Sequence, residues 1–186
     1  MRLFIALDLN LKNKEALSLL QSDLKKATGD IKWVKPGNIH LTLKFLGEVR
    51  EEKIPQITQA LKESASRIKP FAIEIKNPGV FPNWRAPRIL WVSVENGKDK
   101  LRDLSAYLGR ALIQLKFPPE RREFSPHITL GRIKSGLNKD ILVKRIKEIN
   151  FTSMHQEISS IVLYKSALSC GGPVYEKLSE ESFNKS

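Results

Sequence analysis

Two short segments of the chain pair a histidine with a threonine two positions later. His40–Leu43 has the sequence His-Leu-Thr-Leu and His127–Leu130 has His-Ile-Thr-Leu, and each lies in an apolar run that predicts a β-strand. Side chains at i and i+2 of a strand point to the same face, so each copy presents an imidazole beside a hydroxyl. Two such strands facing one another would form a site with two histidines and two threonines.

This set of side chains suits displacement at phosphorus. An unperturbed imidazole has a pKa of about 6.5, so one histidine can accept a proton from the nucleophile while the other donates a proton to the leaving group. Thr42 and Thr129 can donate hydrogen bonds to non-bridging phosphate oxygens. Two histidines without acidic or cysteine neighbours at ligand spacing make a poor zinc site, so we expect no metal and no other cofactor. The pattern alone does not assign acid and base.

The elements that must position these residues occur twice. The motifs begin 87 residues apart (127 − 40 = 87), and each is preceded by a strand and a helix and followed by a helix and a strand. We therefore predict an α+β fold in which duplicated βαβαβ units, related by a pseudo-twofold axis, bring the motif strands into one cleft. The predicted single bilobal domain, 1–186, comprises a first repeat over about 1–77, a proline-rich crossover over about 78–87, a second repeat over about 88–168, and a C-terminal strand and tail over 169–186.

Composition narrows the class of partner. The chain has 32 Lys and Arg residues against 20 Asp and Glu, a formal net charge of +12, which favours RNA or DNA as a partner; a lysine-rich surface of a heat-adapted protein is the alternative. Cys170 is the only cysteine, which excludes an intramolecular disulfide. No apolar run approaches the roughly 20 residues of a membrane span. We expect a globular cytoplasmic protein that does not bind membranes.

The chain resembles the two-histidine phosphoesterase superfamily, and within it the LigT-like RNA 2′,3′-cyclic phosphodiesterases, also called 2′-5′ RNA ligases. The resemblance rests on the paired H-x-T-x motifs and on the segments Arg2–Leu7, Trp33–Val49 and Phe124–Arg132. It implies antiparallel sheets that line a central cleft, and metal-independent hydrolysis of a 2′,3′-cyclic phosphate at an RNA end to a 2′-phosphomonoester. The reverse reaction, with a 5′-hydroxyl as nucleophile, would be an ATP-independent 2′-5′ ligation.

The same resemblance implies roles for individual residues. His40 would be the proton donor to the departing 3′-oxygen, and His127 the proton acceptor that activates water. Thr42 and Thr129 would hold the phosphate, together with Arg132 just after the second motif. In an ideal strand, alternation points the Arg132 side chain to the face opposite His127. The Arg132 side chain can therefore enter the cleft only if the strand bends or ends before this residue.

Other side chains are candidates for contact with RNA. Lys44 shares the strand parity of His40, whereas Phe45 has the core-facing parity, and Trp91 lies in an apolar strand typical of core packing. Trp84, in the proline-rich crossover, offers an exposed ring to an unpaired base. Basic candidates near the crossover and the second motif are Arg85, Arg121 and Arg122.

We therefore predict a monomeric RNA 2′,3′-cyclic phosphodiesterase whose partner is RNA with a 2′,3′-cyclic phosphate terminus, with tRNA fragments as one possible source. One alternative keeps the chemistry but acts on small cyclic phosphates, or trims RNA 3′-ends as an exonuclease. Another is a non-catalytic RNA-binding module. A binding module would not need two titrating side chains, which favours the enzyme.

Overall fold

The protein is represented by a computed structural model that describes residues 1–26, 30–120, 122–134 and 139–184. Within these ranges the chain forms nine β-strands and four α-helices. The strands are β1 (Arg2–Asp8), β2 (Ile31–Trp33), β3 (His40–Glu48), β4 (Phe71–Phe81), β5 (Ile89–Val94), β6 (His127–Ile133), β7 (Met154–Ile158), β8 (Ser160–Ser169) and β9 (Gly172–Ser182). The helices are α1 (Leu11–Lys25), α2 (Ile54–Ala65), α3 (Lys98–Gln114) and α4 (Lys139–Glu148).

The strands join in one sheet with the order β7-β4-β5-β6-β3-β1-β8-β9, and β2 pairs with β6 outside this path. Every strand pairing among the described residues is antiparallel. This arrangement confirms the predicted α+β fold class and brings the two motif strands, β3 and β6, together at the centre.

Each half of the sequence contributes strands to both sides of this centre. Strand β4, from the first half, pairs with β5 of the second half, and β8, from the second half, pairs with β1 of the first. We call β3, β1, β8 and β9 the His40 side, and β6, β5, β4 and β7 the His127 side. The two halves of the chain are therefore interlocked through strand exchange.

The sheet curls strongly. Ile158 ends β7 and Ser160 begins β8, yet these strands are separated by six steps in the sheet. Six steps of about 4.8 Å would span about 29 Å in a flat sheet, whereas two residues span at most about 7 Å. The rings of Phe71 at the start of β4 and Phe183 just after β9 stack at 6.0 Å, which closes one end of the curl.

The helices cover one face of the sheet and leave the other for the cleft. Helix α1 begins after Asn10, whose side chain accepts a hydrogen bond of 2.8 Å from the backbone N–H of Asn13. Its core-facing residues Leu17, Leu20 and Leu24 recur at helical spacing and are buried, and each of the other helices also has a buried apolar stripe. One hydrophobic core contains Leu17, Leu20 and Leu24 of α1 together with residues from all four helices and the core-facing strand residues.

Within the described ranges, no helix is both long and apolar enough to cross a membrane.

Two segments differ from their predicted boundaries. Strand β4 continues to Phe81, into the segment predicted as a crossover, because a register shift between Ile75 and Pro78 accommodates the missing proline N–H. For the strand that closes the second repeat, the sequence predicts residues 158–164, but the structure divides this segment at Ser159, since β7 and β8 pair with opposite sides of the sheet. The sequence also predicts that the first helix ends at Gly29, a residue that lies outside the described ranges.

Candidate active site

The two motif strands meet in antiparallel register with Leu41 opposite Ile128. Both of these side chains have no exposed surface and belong to the core that the helices cover. Because alternate strand residues point to opposite faces, the motif histidines and threonines lie on the other face of the sheet. We call this surface the cleft face.

The register also sets the arrangement of these four residues. It places His40 across from Thr129 and Thr42 across from His127. All four side chains are partly exposed. The structure therefore brings the four motif residues together on one surface.

The backbone holds both imidazoles in the same way. His40 Nδ1 donates to the carbonyl oxygen of Asn38 at 2.7 Å, and His127 Nδ1 donates to that of Ser125 at 2.7 Å. A carbonyl oxygen can only accept, so Nδ1 carries the proton and Nε2 of each neutral ring is the basic nitrogen. His40 Nε2 lies 2.8 Å from Thr42 Oγ1, so this hydroxyl can donate to the neutral ring or accept from the imidazolium.

Aromatic rings pack around His40. The ring of Phe4 lies 5.0 Å from the imidazole, and the edge of Tyr175 lies 5.4 Å away. Burial lowers the pKa of His40, although the hydrogen bond to Asn38 and the charge of Asp8 act in the opposite direction. Burial therefore favours the neutral form of His40 in the free protein.

Asp8 lies across from His40 in the pairing of β1 with β3. Lys14 Nζ donates to Asp8 Oδ1 at 2.7 Å, and the Tyr164 hydroxyl donates to Oδ2 at 3.1 Å. Burial raises the pKa of Asp8, but the hydrogen bonds and the charge of Lys14 outweigh burial and lower it overall. An ionised carboxylate therefore lies on the cleft face beside His40.

The surroundings of His127 differ. Phe81 contacts the imidazole edge-on at 5.0 Å, and Trp91 lies 6.3 Å away. The residue across from His127 in β5 is the uncharged Ser93.

The expectation that Trp91 packs in the core is wrong, because Trp91 lies beside Thr129 on the cleft face. Gly79 makes room for it, since a Cβ there would lie 2.6 Å from the indole.

Each motif strand has a β-bulge at the last residue of its motif. The register with β1 skips Leu43, and the register with β5 skips Leu130. Because a bulge adds one residue to the strand, side chains beyond it point to the face opposite to the one that simple alternation predicts. Arg132 therefore returns to the cleft face of β6, which supplies the bend expected from the sequence. Phe45 likewise points to the cleft face of β3 and is 64% exposed, so its predicted core-facing orientation is wrong.

The same bulge overturns the prediction for Lys44. Its side chain points away from the cleft and is only 8% exposed. Its Nζ donates to the carbonyl oxygen of Pro118 at 2.8 Å and lies 2.8 Å from a carboxylate oxygen of Glu120. Lys44 therefore anchors the loop after α3 and is not placed to contact RNA.

Besides Asp8, sequence reasoning missed further cleft residues, among them Arg2 and Tyr175. Burial raises the pKa of the Tyr175 hydroxyl, and the nearby charges of Arg132 and Arg2 partly oppose this effect. Arg2 could have been found from strand parity, because it lies two residues from Phe4 and so shares the cleft face of β1. Tyr175 could not, since its contact with His40 joins residues far apart in sequence.

The remaining RNA candidates lie in loops outside the motif strands. Trp84 is 38% exposed and has Lys147 Nζ 5.3 Å from its ring, and Arg85 and Arg122 are exposed. Arg121 lies outside the described residues. Over the described ranges, no group of three or more potential metal-binding side chains is found.

A family model for "LigT like Phosphoesterase" matches the chain twice, over residues 7–91 and 92–175, with one H-x-T-x motif in each match. The chain belongs to this family. Among its relatives in the LigT-like family is the RNA 2′,3′-cyclic phosphodiesterase of Methanothermobacter thermautotrophicus, 37% identical over 175 residues that cover 94% of each chain.

Solved structures agree with the LigT-like fold. The crystal structure of TT0787 of Thermus thermophilus superimposes with a TM-score of 0.81 at 28% identity and covers 98% of both chains. The structure of E. coli LigT complexed with 3′-AMP gives a TM-score of 0.72 at 25% identity, covering 98% of this chain and 97% of the other. The family and fold predicted from the motifs are confirmed.

Proposed function

We propose that the protein is an RNA 2′,3′-cyclic phosphodiesterase that hydrolyses the cyclic phosphate at an RNA end to a 2′-phosphomonoester. The observation that carries this proposal is the pair of imidazoles on one cleft face, each held through Nδ1 by a backbone carbonyl and each accompanied by a threonine hydroxyl. The activity named for the Methanothermobacter relative supports it.

In the proposed mechanism, His127 accepts a proton from water through Nε2, and the water attacks phosphorus. His40 donates a proton from Nε2 to the departing 3′-oxygen. The residues across from the two rings support this assignment, because the carboxylate of Asp8 stabilises an imidazolium at His40 whereas Ser93 carries no charge. Binding of the anionic substrate would raise the pKa of His40 and so favour its protonation before it donates to the 3′-oxygen.

Thr42, Thr129 and Arg132 would hold the phosphate oxygens. The hydroxyls lie on the same face as the imidazoles, and the bulge in β6 turns Arg132 onto that face. A guanidinium stabilises the negative charge that builds on the phosphate oxygens in the transition state. All these groups belong to the chain itself, so the proposed reaction needs neither metal nor ATP, and its reversal with a 5′-hydroxyl would give a 2′-5′ linkage.

Beyond the phosphate, the net charge of +12 would attract RNA to the cleft, with Trp84, Arg85 and Arg122 as candidate contacts. We further propose that the protein works as a cytoplasmic monomer and a single bilobal domain. Fragments of tRNA that end in a 2′,3′-cyclic phosphate are one candidate source of substrate.

The test is incubation with a short RNA that ends in a 2′,3′-cyclic phosphate, in the presence of EDTA. We expect a product that co-elutes with a 2′-phosphate standard, resists periodate, and becomes periodate-sensitive after treatment with a phosphatase. A 3′-phosphate product would contradict the proposed regiochemistry. Tight RNA binding without turnover would favour the RNA-binding module.

A further inference from the structure

A second basic region lies at the end of β6. One pocket is lined by the cationic side chains of Arg85, Arg88, Lys134 and Lys139, with Pro87 and Ile133 among its apolar residues. No acidic side chain is among its described lining residues. The pocket therefore concentrates positive charge in one place.

These four cationic side chains have few ion pairs with carboxylates in the described ranges of the protein. Among the described residues, Arg85, Arg88 and Lys134 form no ion pair. Lys139 lies 4.0 Å from a carboxylate oxygen of Asp140, whose side chain is 97% exposed, and such pairs contribute little. The mutual repulsion of the four cations would be relieved by an anion bound among them.

The backbone that presents these side chains is well ordered by hydrogen bonds. Asn83 Oδ1 accepts from the backbone N–H groups of Arg85 and Ala86, each at 3.0 Å. Arg88 donates its N–H to the carbonyl oxygen of Phe81 at 2.7 Å, and its own carbonyl oxygen accepts from the N–H of Ile133 at 2.9 Å. The backbone that carries Arg85 and Arg88 is thus held in place, which lowers the entropic cost of ordering this segment around a ligand.

The pocket and the cleft histidine lie at opposite ends of β6. His127 begins this strand and Ile133 ends it, which places the pocket about 20 Å from the histidine at about 3.3 Å per residue. Arg132, on the cleft face, lies between them. Phe81, which contacts the His127 ring, also accepts the hydrogen bond from Arg88. A strand of RNA that leaves the cleft past Arg132 would reach the pocket within a few nucleotides.

We propose that this pocket is a second phosphate subsite, which binds an internal backbone phosphate of the RNA several nucleotides from the cyclic phosphate. The inference rests on the proposed function, because it takes the RNA end to be held at the two histidines. The subsite makes the enzyme favour oligonucleotides over mononucleotide and dinucleotide cyclic phosphates by lowering KM, while kcat depends on the cleft alone.

The test compares a dinucleotide with an RNA of about ten nucleotides, within the range of single-strand binding sites, both ending in a 2′,3′-cyclic phosphate. The variant is R88Q/K134Q, and the control is K62Q/K69Q, which removes the same charge from an exposed region at α2 and its C-terminal end. We expect the pocket variant to raise the KM of the longer RNA about tenfold, as loss of two phosphate contacts predicts. Its kcat and its KM for the dinucleotide should match those of the control.

If the two double variants raised the KM of the longer RNA equally, the proposed subsite would be overturned. Fluorescence anisotropy with the same RNA bearing a 2′-phosphate end gives a readout that does not need turnover. Weaker binding by the pocket variant than by the control, with a shallower dependence on salt, would support the subsite. Absence of hydrolysis of both RNAs by the wild type would overturn the proposed function instead.

Discussion

The His40 and His127 sides of the sheet repeat the same local structure with different neighbours. On both sides, a carbonyl oxygen two residues earlier accepts from Nδ1, and a bulge lies at the last residue of the motif. Across from the imidazoles, however, stand Asp8 on one side and Ser93 on the other. Beyond the bulges, the residues returned to the cleft face are Phe45 and Arg132.

The duplication supplies the same backbone arrangement twice, whereas the residues around each imidazole distinguish the two sides. The repeated backbone holds two imidazoles in the same way, and the proposed mechanism uses them as acid and base, but the repeat alone does not assign these roles. The residues that are not repeated create a charge difference between the two sides. We infer that Asp8 and Arg132 convert a nearly symmetric scaffold into a site with a defined direction for the substrate.

The largest expected effect comes from removing either half of the catalytic pair. His40→Ala and His127→Ala should each lower kcat for cyclic phosphate hydrolysis about 10³-fold, because each proton transfer loses its side chain. His155→Ala, which changes the exposed third histidine, is the control and should retain full activity. Wild-type turnover in either motif variant would refute the two-histidine mechanism.

A smaller effect should distinguish the two bulge residues. Arg132→Gln should lower kcat/KM about 10²-fold, with most of the loss in kcat, because it removes a charge that stabilises the transition state. Phe45→Ala should raise KM less than about tenfold by removing a ring on which a base can stack. Steady-state kinetics measure both variants. If the two losses were equal and confined to KM, the proposed asymmetry would be wrong.

The bulge in β3, which turns Lys44 away from the cleft, also predicts an effect on the stability of the protein. Lys44→Ala should lower the free energy of unfolding by about 2 kcal/mol, because it removes a nearly buried charged donor that holds the carbonyl oxygen of Pro118. Urea denaturation measures this loss. Lys100→Ala, an exposed change on α3, is a control that should be nearly neutral. A Lys44→Ala protein of wild-type stability would contradict the anchoring contact to Pro118.

The smallest expected effect is a difference in pH response. Because burial lowers the pKa of His40, folding opposes its protonation, and stability should fall on acidification from about pH 6.5, the unfolded value. This contribution is fully present above that pH and is lost as the pH falls through the folded pKa. Urea denaturation between pH 8 and pH 5 should therefore show a steeper decline for the wild type than for His40→Gln. Parallel curves would show that burial of His40 does not oppose its protonation.

Much of the site follows from local sequence. The i, i+2 spacing of histidine and threonine is a property of a single strand, so the same-face arrangement could be predicted from each tetrapeptide. The repeat at 87 residues predicted that the two motif strands would meet, and they are neighbours in the sheet.

Tertiary structure decided the rest, because the deciding contacts join residues remote in sequence. A bulge depends on the register with a partner strand, so the orientations of Lys44, Phe45 and Arg132 could not be derived from alternation. The exchange of β4 and β8 between the two sides, and the contact of Tyr175 with His40, likewise arise from pairing with distant strands. The sequence determined which groups can do the chemistry, whereas strand pairing decided which charges surround each imidazole.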